Sequence, residues 1–553
     1  MRSPAAAFAL AIWMLGSGIL TAQPRSWIFF TDQGDRPGVP ALSEAALARR
    51  ARAGLQPGPT DRPLAAPYLD SLRALGIQPH RQSRWFNAVS AALTPEQALR
   101  VQALPFVRSV EPVRGYGSAA GAEGECPDGS PDDAYWRQLQ MIGADVLHRN
   151  GYTGRGVRVA VFDNGFVKVD SLAAFRHLFE EGRILATRDY VSSQESVFDP
   201  CIHCRHGSQV FSILAANWPG RLTGAAPGAS FILLRTENDS SETRQEEDNW
   251  VAAAEFADSL GADIFSTSLG YLSFDNGDPG YSRSDLDGQT ALITRAADLA
   301  AAKGILVVNS AGNEGTRGLV APADGDSVLA IGAVDACGEL AAFSSRGPAA
   351  DGRIKPDLAA MGEQTFFVGI DGTVRRGNGT SYACPLISGL AACLKQAHPQ
   401  ATAWQLAEAL RRSADRFTSP GNSYGYGIPD GARAFRLLAG RDPAIPGLPE
   451  PPAAAARFDP EAGFLEPFAQ DAVLIFPNPA PGSFRVLLPP GEAGGFGIRV
   501  VDLLGRTVDA QQIPEGRGYH VRLTGPFRPG LYAVQVLEPE SGALRYQAKV
   551  MVE

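Results

Sequence analysis

Positive charge in excess, cysteine, histidine and long apolar runs are all scarce in this chain. Of its 553 residues, 50 are Lys or Arg and 59 are Asp or Glu, a net charge of -9. Phosphate binding needs clustered cations. No basic stripe occurs, so nucleic acid is not expected as a partner, and a membrane-surface role gains no support. One apolar run stands out, Ala5 to Leu20, behind Arg2 and ahead of the small-residue site Leu20-Thr21-Ala22. It is short for a bilayer span and weakened by Gly16, Ser17 and Gly18. Residues 1–22 therefore read as a signal peptide, and no second run of spanning length follows.

Six cysteines are present: Cys126, Cys201, Cys204, Cys337, Cys384 and Cys393. An even count in an exported chain permits disulfides, and six allow about 15 pairings. Cys384 and Cys393, if on one helix, lie about 13 Å apart along its axis, too far to bridge. Cys201-x-x-Cys204 with His203 and His206 nearby has the look of a zinc half-site. No second ligand pair at suitable spacing completes it, and a local disulfide is expected instead.

Length and composition indicate several globular domains. Residues 24–125 alternate strand and helix signals: Ser26 to Phe30, Tyr68 to Leu75, a Thr94-Pro95 helix start, and Val107 to Val113. They make a small α/β unit that ends in an exposed Gly/Ala/Glu linker from Gly115 to Gly129. Residues 133–438 change pattern. Short apolar runs at Val157–Phe162, Ser230–Leu234, Ala262–Phe265, Ile305–Val308 and Val328–Ile331 alternate with Ala-rich helical segments, Trp250–Leu260 and Gln289–Ala302. Such alternation implies a parallel sheet with helices on both faces. Residues 439–470, rich in Pro and Ala, form a linker. Residues 471–553 carry short alternating strands between Gly and Pro turns, a β-sandwich pattern.

Three local patterns carry chemistry. Val159-Ala160-Val161-Phe162-Asp163-Asn164-Gly165 ends a buried strand in a carboxylate, at the edge where open α/β sheets bind ligands. His206-Gly207-Ser208 opens a helix, with a glycine that allows close approach. Of the other histidines, His148, His177 and His398 read as surface or capping residues, and His80 and His520 lie outside the central domain. Gly377-Asn378-Gly379-Thr380-Ser381 presents a hydroxyl at the start of an apolar helix, whose N-terminus favours developing negative charge.

In that order, these patterns resemble the subtilisin-like serine proteases. The order Asp, His, Ser is the one quoted for subtilisin among triads of the same geometry. Secondary marks agree: Leu222 to Gly228, Ser266 to Gly270, Ser310 to Gly315, Phe343 to Pro348 and Lys355-Pro356-Asp357. The resemblance implies a secreted serine endopeptidase with a subtilisin-like α/β fold and a catalytic triad of Asp163, His206 and Ser381. It implies Asn313 as oxyanion donor, and Ser268, Leu269, Gly270, Ala311 and Gly312 as the segments flanking a bound peptide. Their small residues leave room for a bulky side chain in the primary pocket.

Gln209 and Cys384 depart from the family pattern at positions that perform no chemistry. No cofactor is expected for the reaction and no metal ligands are assigned. Structural calcium stays open without a ligand set, since Asp275, Asp278, Asp285 and Asp287 in the loop Tyr271 to Gly288 read as a solvated acidic loop.

The 24–125 unit resembles the family's propeptides. The C-terminal segment, with Phe476-Pro477-Asn478-Pro479, Val500 to Arg506 and Pro529 to Val534, resembles a type IX secretion sorting domain. Peptide or protein substrates, the type IX machinery, a monomeric state and export through periplasm and outer membrane to the medium or cell surface follow from that resemblance. Two alternatives remain open: a catalytically inactive surface-binding protein on a protease scaffold, and a peptide acyl transferase.

Overall fold

The computed structural model describes residues 25–32, 42–112, 134–192, 196–199, 201, 203–238, 243–275, 280–440, 474–476, 483–487, 496–501, 507–515, 518–524, 530–538 and 544–552. The signal segment, the 115–129 linker with Cys126, Asp278, most of the Pro/Ala-rich linker and the Pro477–Ala480 turn lie outside them.

The chain divides into two compact units, residues 1–40 with 58–114, and residues 41–57 with 115–553. In the first, β1 (Arg25–Phe30), β2 (Arg81–Ser83), β3 (Ala88–Ala92) and β4 (Val107–Pro112) form an antiparallel sheet in the order β2-β3-β1-β4. Helices α2 (Ala66–Ala74) and α3 (Pro95–Gln102) supply Leu69, Leu72 and Val101 to its core. Thr94 caps α3 as its sequence announces, taking the Gln97 N–H at 3.1 Å and returning its own N–H to Gln97 Oε1 at 3.0 Å.

Between β1 and α2 lies a helix the sequence reading missed, α1 (Glu44–Arg52), which belongs to the second unit. Its Arg49 and Arg50, 3% and 2% exposed, both reach the fully buried Asp258. Arg49 also donates to the carbonyls of Ala262 and Lys303, at 2.6 and 3.2 Å. Arg52 pairs with Asp263 at 3.0 Å.

The centre of the second unit is a seven-stranded, wholly parallel sheet. Its strands are β5 (Arg158–Asp163), β6 (Ile184–Asp189), β9 (Ser230–Arg235), β10 (Ile264–Thr267), β11 (Leu306–Ser310), β12 (Val328–Val334) and β13 (Leu358–Met361). They run in the order β13-β12-β11-β10-β5-β9-β6. A two-residue pair, β7 (Asn217–Trp218) and β8 (Leu222–Thr223), and a hairpin, β14 (Thr365–Val368) with β15 (Val374–Gly377), form two separate two-stranded sheets.

Both faces are covered, which is why most of the strands read as continuous apolar runs. Val159 and Val161 of β5 pack in one core with α7 (His206–Ala215) and α10 (Thr380–Ala397). Phe162, pointing the other way, stacks on Trp250 of α8 (Arg244–Ser259), which packs beside α9 (Leu292–Ala302). Shorter helices complete the unit: α4 (Ala134–Met141), α5 (Ala144–Arg149), α6 (Arg176–Glu180), α11 (Ala403–Ser413) and α12 (Gly431–Leu438). The chain leaves β5 toward one side of the sheet and returns to build β10 on the other, so the strand order reverses beside the C-terminal end of β5.

At the C-terminal end, β16 (Leu474–Phe476), β17 (Ser483–Leu487), β20 (Ala510–Glu515) and β21 (Gly518–Leu523) form one antiparallel sheet. The other holds β18 (Gly497–Val501), β19 (Thr507–Val508), β22 (Gly530–Leu537) and β23 (Leu544–Val552). Val486, Val521, Val500 and Val534 contribute from both sheets to one core. No helix among the described residues is long and apolar enough to cross a membrane.

Asp258→Ala should leave two buried guanidinium groups without their shared carboxylate. In the full-length chain it should lower the unfolding free energy of this unit by about 3–5 kcal/mol. Denaturant unfolding of the two proteins checks this, and a change within about 1 kcal/mol would show that the pair contributes no net stability.

Candidate active site

Asp163 ends β5 at the sheet edge and is wholly buried. Its Oδ1 accepts the Asn164 N–H at 2.8 Å and lies 2.8 Å from Nδ1 of His206. An ionised carboxylate only accepts, so Nδ1 carries the proton and Nε2 is left as the acceptor. His206 is the first residue of α7 and its side chain is one-third exposed.

The glycine after His206 is a steric requirement. A Cβ on Gly207 would come within 2.2 Å of the Gly165 carbonyl oxygen and 2.9 Å of Asp163 Cβ.

A second ring of contacts fixes this pair. Asn164 accepts the Gly207 N–H on its side chain at 3.2 Å. Arg235, next to Asp163 in the sheet register, is buried and divides its guanidinium three ways. Nε donates to the Asn164 carbonyl at 2.9 Å, Nη1 to Asp189 at 2.8 Å and Nη2 to Cys204 Sγ at 3.6 Å. Cys201 and Cys204 form the expected disulfide, closing the loop that delivers His206. Sequence reasoning missed Asn164 and Arg235 because their role depends on strands about 70 residues apart.

Ser381 is the second residue of α10. Pro385 lies within that helix and has no N–H to give the Ser381 carbonyl. The Ser268 hydroxyl serves that carbonyl instead, at 2.9 Å, and Ser381 Oγ donates to the Ser268 carbonyl at 3.2 Å. Asn313 follows β11, with its Oδ1 accepting the Thr380 N–H at 2.9 Å and the Thr380 hydroxyl at 3.1 Å. Its NH2 group then faces Gly379. Thr380 thus fastens the Asn313 loop to the start of α10.

Ser268, Leu269 and Gly270 continue from β10, and Ala311 and Gly312 from β11. Asn309 and Ser310 hold the Leu269 carbonyl at 3.0 and 3.2 Å. Every candidate residue read from the sequence therefore lies at the C-terminal edge of neighbouring parallel strands or at the start of α7 or α10.

The two departures have structural partners. Gln209 accepts the Tyr382 hydroxyl at 2.7 Å, joining α7 to α10. Cys384 is buried within the first turns of α10, and burial pushes its thiol up to about 12. Cys384 and Cys393 are both free, and Cys337 is disulfide-bonded.

Of the three histidines read as surface or capping residues, His398 caps a helix, while His148 and His177 are turned inward. His148 bonds the Ala225 carbonyl at 2.8 Å and His177 the Pro227 carbonyl at 3.2 Å. His398 is buried as the C-cap of α10, and burial lowers it, like His177, to about 4.

In the acidic loop, Asp285 and Asp287 accept N–H groups of their own turns. Among the described residues no group of three or more His, Cys, Asp or Glu is arranged for a metal.

A buried carboxylate, an oriented imidazole and a serine at a helix start stand on one doubly covered parallel sheet, and the chain's relatives make it a serine-type peptidase. The chain belongs to the subtilase family. The Subtilase family profile matches residues 154–427, and that of the Peptidase S8 propeptide domain, Bacteroidota, matches 25–123. Subtilisin E of Bacillus subtilis is 31% identical over 295 residues, covering 52% of this chain and 68% of the relative. Subtilisin DY of Bacillus licheniformis is 31% identical over 295 residues, 52% and 93%. Serine protease AprX of Bacillus subtilis is 30% identical over 315 residues, 51% and 67%. Among solved structures, the MycP3 protease from the type VII (ESX-3) secretion system aligns at TM-score 0.45 and 23% identity, covering 55% and 89%.

Gly379 adopts φ 154°, a region essentially reserved for glycine. A Cβ there would lie 3.7 Å from both Asn313 Nδ2 and the Ser381 nitrogen. Gly379→Ala should cut kcat by about 10²-fold or more. Turnover per folded molecule, with thermal melting as the control for folding, tests this. An unchanged kcat would show that the substrate oxygen does not occupy that space.

Proposed function

We propose that this chain is a secreted serine endopeptidase that hydrolyses peptide bonds through an acyl-enzyme, with Asp163, His206 and Ser381 as its triad. The 2.8 Å bond between buried Asp163 and His206, with Ser381 at the head of α10, carries the reading. Ser381 Oγ attacks the carbonyl carbon while Nε2 of His206 takes its proton. The same imidazolium, held against the Asp163 carboxylate, returns that proton to the leaving amine. Water then repeats the sequence on the acyl-enzyme. Asn313 Nδ2 and the Ser381 N–H receive the developing oxyanion.

Residues 133–438 make up the peptidase, and residues 24–125 are the propeptide with its cleavable linker. Residues 471–553 form the type IX secretion sorting domain, whose reading is supported by the paired antiparallel sheets and the Gly/Pro-punctuated strands. Together with the apolar run at residues 5–20, this takes the protein through the outer membrane as a monomer acting on peptides or proteins.

A fluorophosphonate probe should label the processed wild type and leave Ser381→Ala unlabelled. Asn313→Ala should keep labelling measurable and lower kcat by about 10²–10³, a magnitude known from a subtilisin and carried over here. Absence of labelling in folded, propeptide-free protein would overturn the peptidase reading in favour of a surface binder. Transfer of the acyl group to an added amine in preference to water would identify an acyl transferase.

A further inference from the structure

The site also specifies what the substrate presents beside the bond to be cut. With a carbonyl carbon at Ser381 Oγ and its oxygen toward Asn313, the preceding side chain must enter the gap between two segments. One follows Ser268, namely Leu269–Gly270, and the other precedes Asn313, namely Ala311–Gly312. Each carries a glycine, and a side chain entering between them needs the space those glycines leave.

Val320 occupies that space. A Cβ on Gly270 would fall 2.1 Å from Val320 Cγ2 and 3.0 Å from its Cβ. A Cβ on Gly312 would fall 2.9 and 3.0 Å from Val320 Cγ1 and Cγ2, and 2.8 Å from Ser345 Oγ. One isopropyl group thus touches both glycine backbones. It is 6% exposed.

Its position is fixed from both sides. The Val320 N–H donates to the Ala311 carbonyl at 3.3 Å, and its carbonyl accepts the Ala323 N–H at 2.8 Å. The next residue, Ala321, exchanges two backbone bonds with Tyr271, at 2.9 and 2.8 Å, directly after Gly270. A β-branched side chain has restricted χ1 freedom, so the methyl groups have little room to swing aside.

We propose that Val320 is the specificity-determining residue of this peptidase. It closes the primary pocket, so the enzyme cleaves after small side chains, Gly, Ala or Ser, and rejects Phe, Tyr and Leu. The pocket is therefore shallower than its small-residue walls suggested from the sequence alone. The proposal rests on the peptidase reading above.

The test uses processed full-length enzyme and tetrapeptide p-nitroanilides identical except at the residue before the scissile bond. Active sites are counted with the fluorophosphonate probe, so misfolded protein does not enter the rates. Wild-type kcat/KM for Ala should exceed that for Phe by about 100-fold, within the range that pocket shape provides. Val320→Gly should raise the Phe/Ala ratio of kcat/KM by on the order of 100-fold. Val320→Ala, milder for folding, should fall between them.

A wild type that cleaves after Phe as well as after Ala would overturn the proposal. So would Phe/Ala ratios unchanged in both variants despite titratable sites. A wild type with no titratable serine would instead overturn the peptidase reading itself.

Discussion

The hydrogen bond between Asp163 and His206 is the constraint around which the central unit is organised. It joins the end of a buried strand to the start of a helix 43 residues later. A carboxylate removed from water loses hydration that only strong partners replace. Here one oxygen takes the Asn164 N–H and the imidazole, while Oδ2 is buried without a hydrogen-bond partner among the described residues. The surrounding structure holds this arrangement in place. Arg235 ties the Asn164 carbonyl to Asp189 and to the disulfide loop, and Gly207 lets α7 begin against the Asp163 turn. Such a pair is pre-formed, with the imidazole already oriented by the carboxylate.

Much of this was legible in the sequence because it is local. Val159 to Phe162 is apolar on both faces, so a buried strand followed by Asp163 can be read within seven letters. The start of α10 is equally plain, since Gly379 and Pro385 bracket Ser381 with residues whose backbone preferences are strong. Strand β6 escaped notice because it sits at the sheet edge, half exposed, with Thr187 and Arg188 interrupting its apolar character. Arg235 reads only as the end of a hydrophobic run, and Thr380 as part of a motif. Their partners Asn164 and Asn313 are set by topology, which no window of sequence contains.

Val320 illustrates the same limit at the level of substrate choice. Its neighbours Leu319 and Ala321 give it no special pattern, and it lies seven residues beyond Asn313 in the chain. Folding brings it against Gly270 and Gly312, and the proposed selectivity rests on that juxtaposition. Chemistry here is encoded in short motifs, whereas selectivity is encoded in a contact.

Asp258 and Asp263 are covered because α1 lays Arg49, Arg50 and Arg52 over them. If residues 41–57 depart with the rest of the propeptide, Asp258 passes from a dry, neutralised seam to bulk water and loses both its cations. The surface around the C-terminal end of α8 then registers the molecule's history. An intact chain presents it closed and neutral, a trimmed one open and acidic. Age is in this sense written in local charge, where an ion exchanger or an antibody can read it without touching the active site.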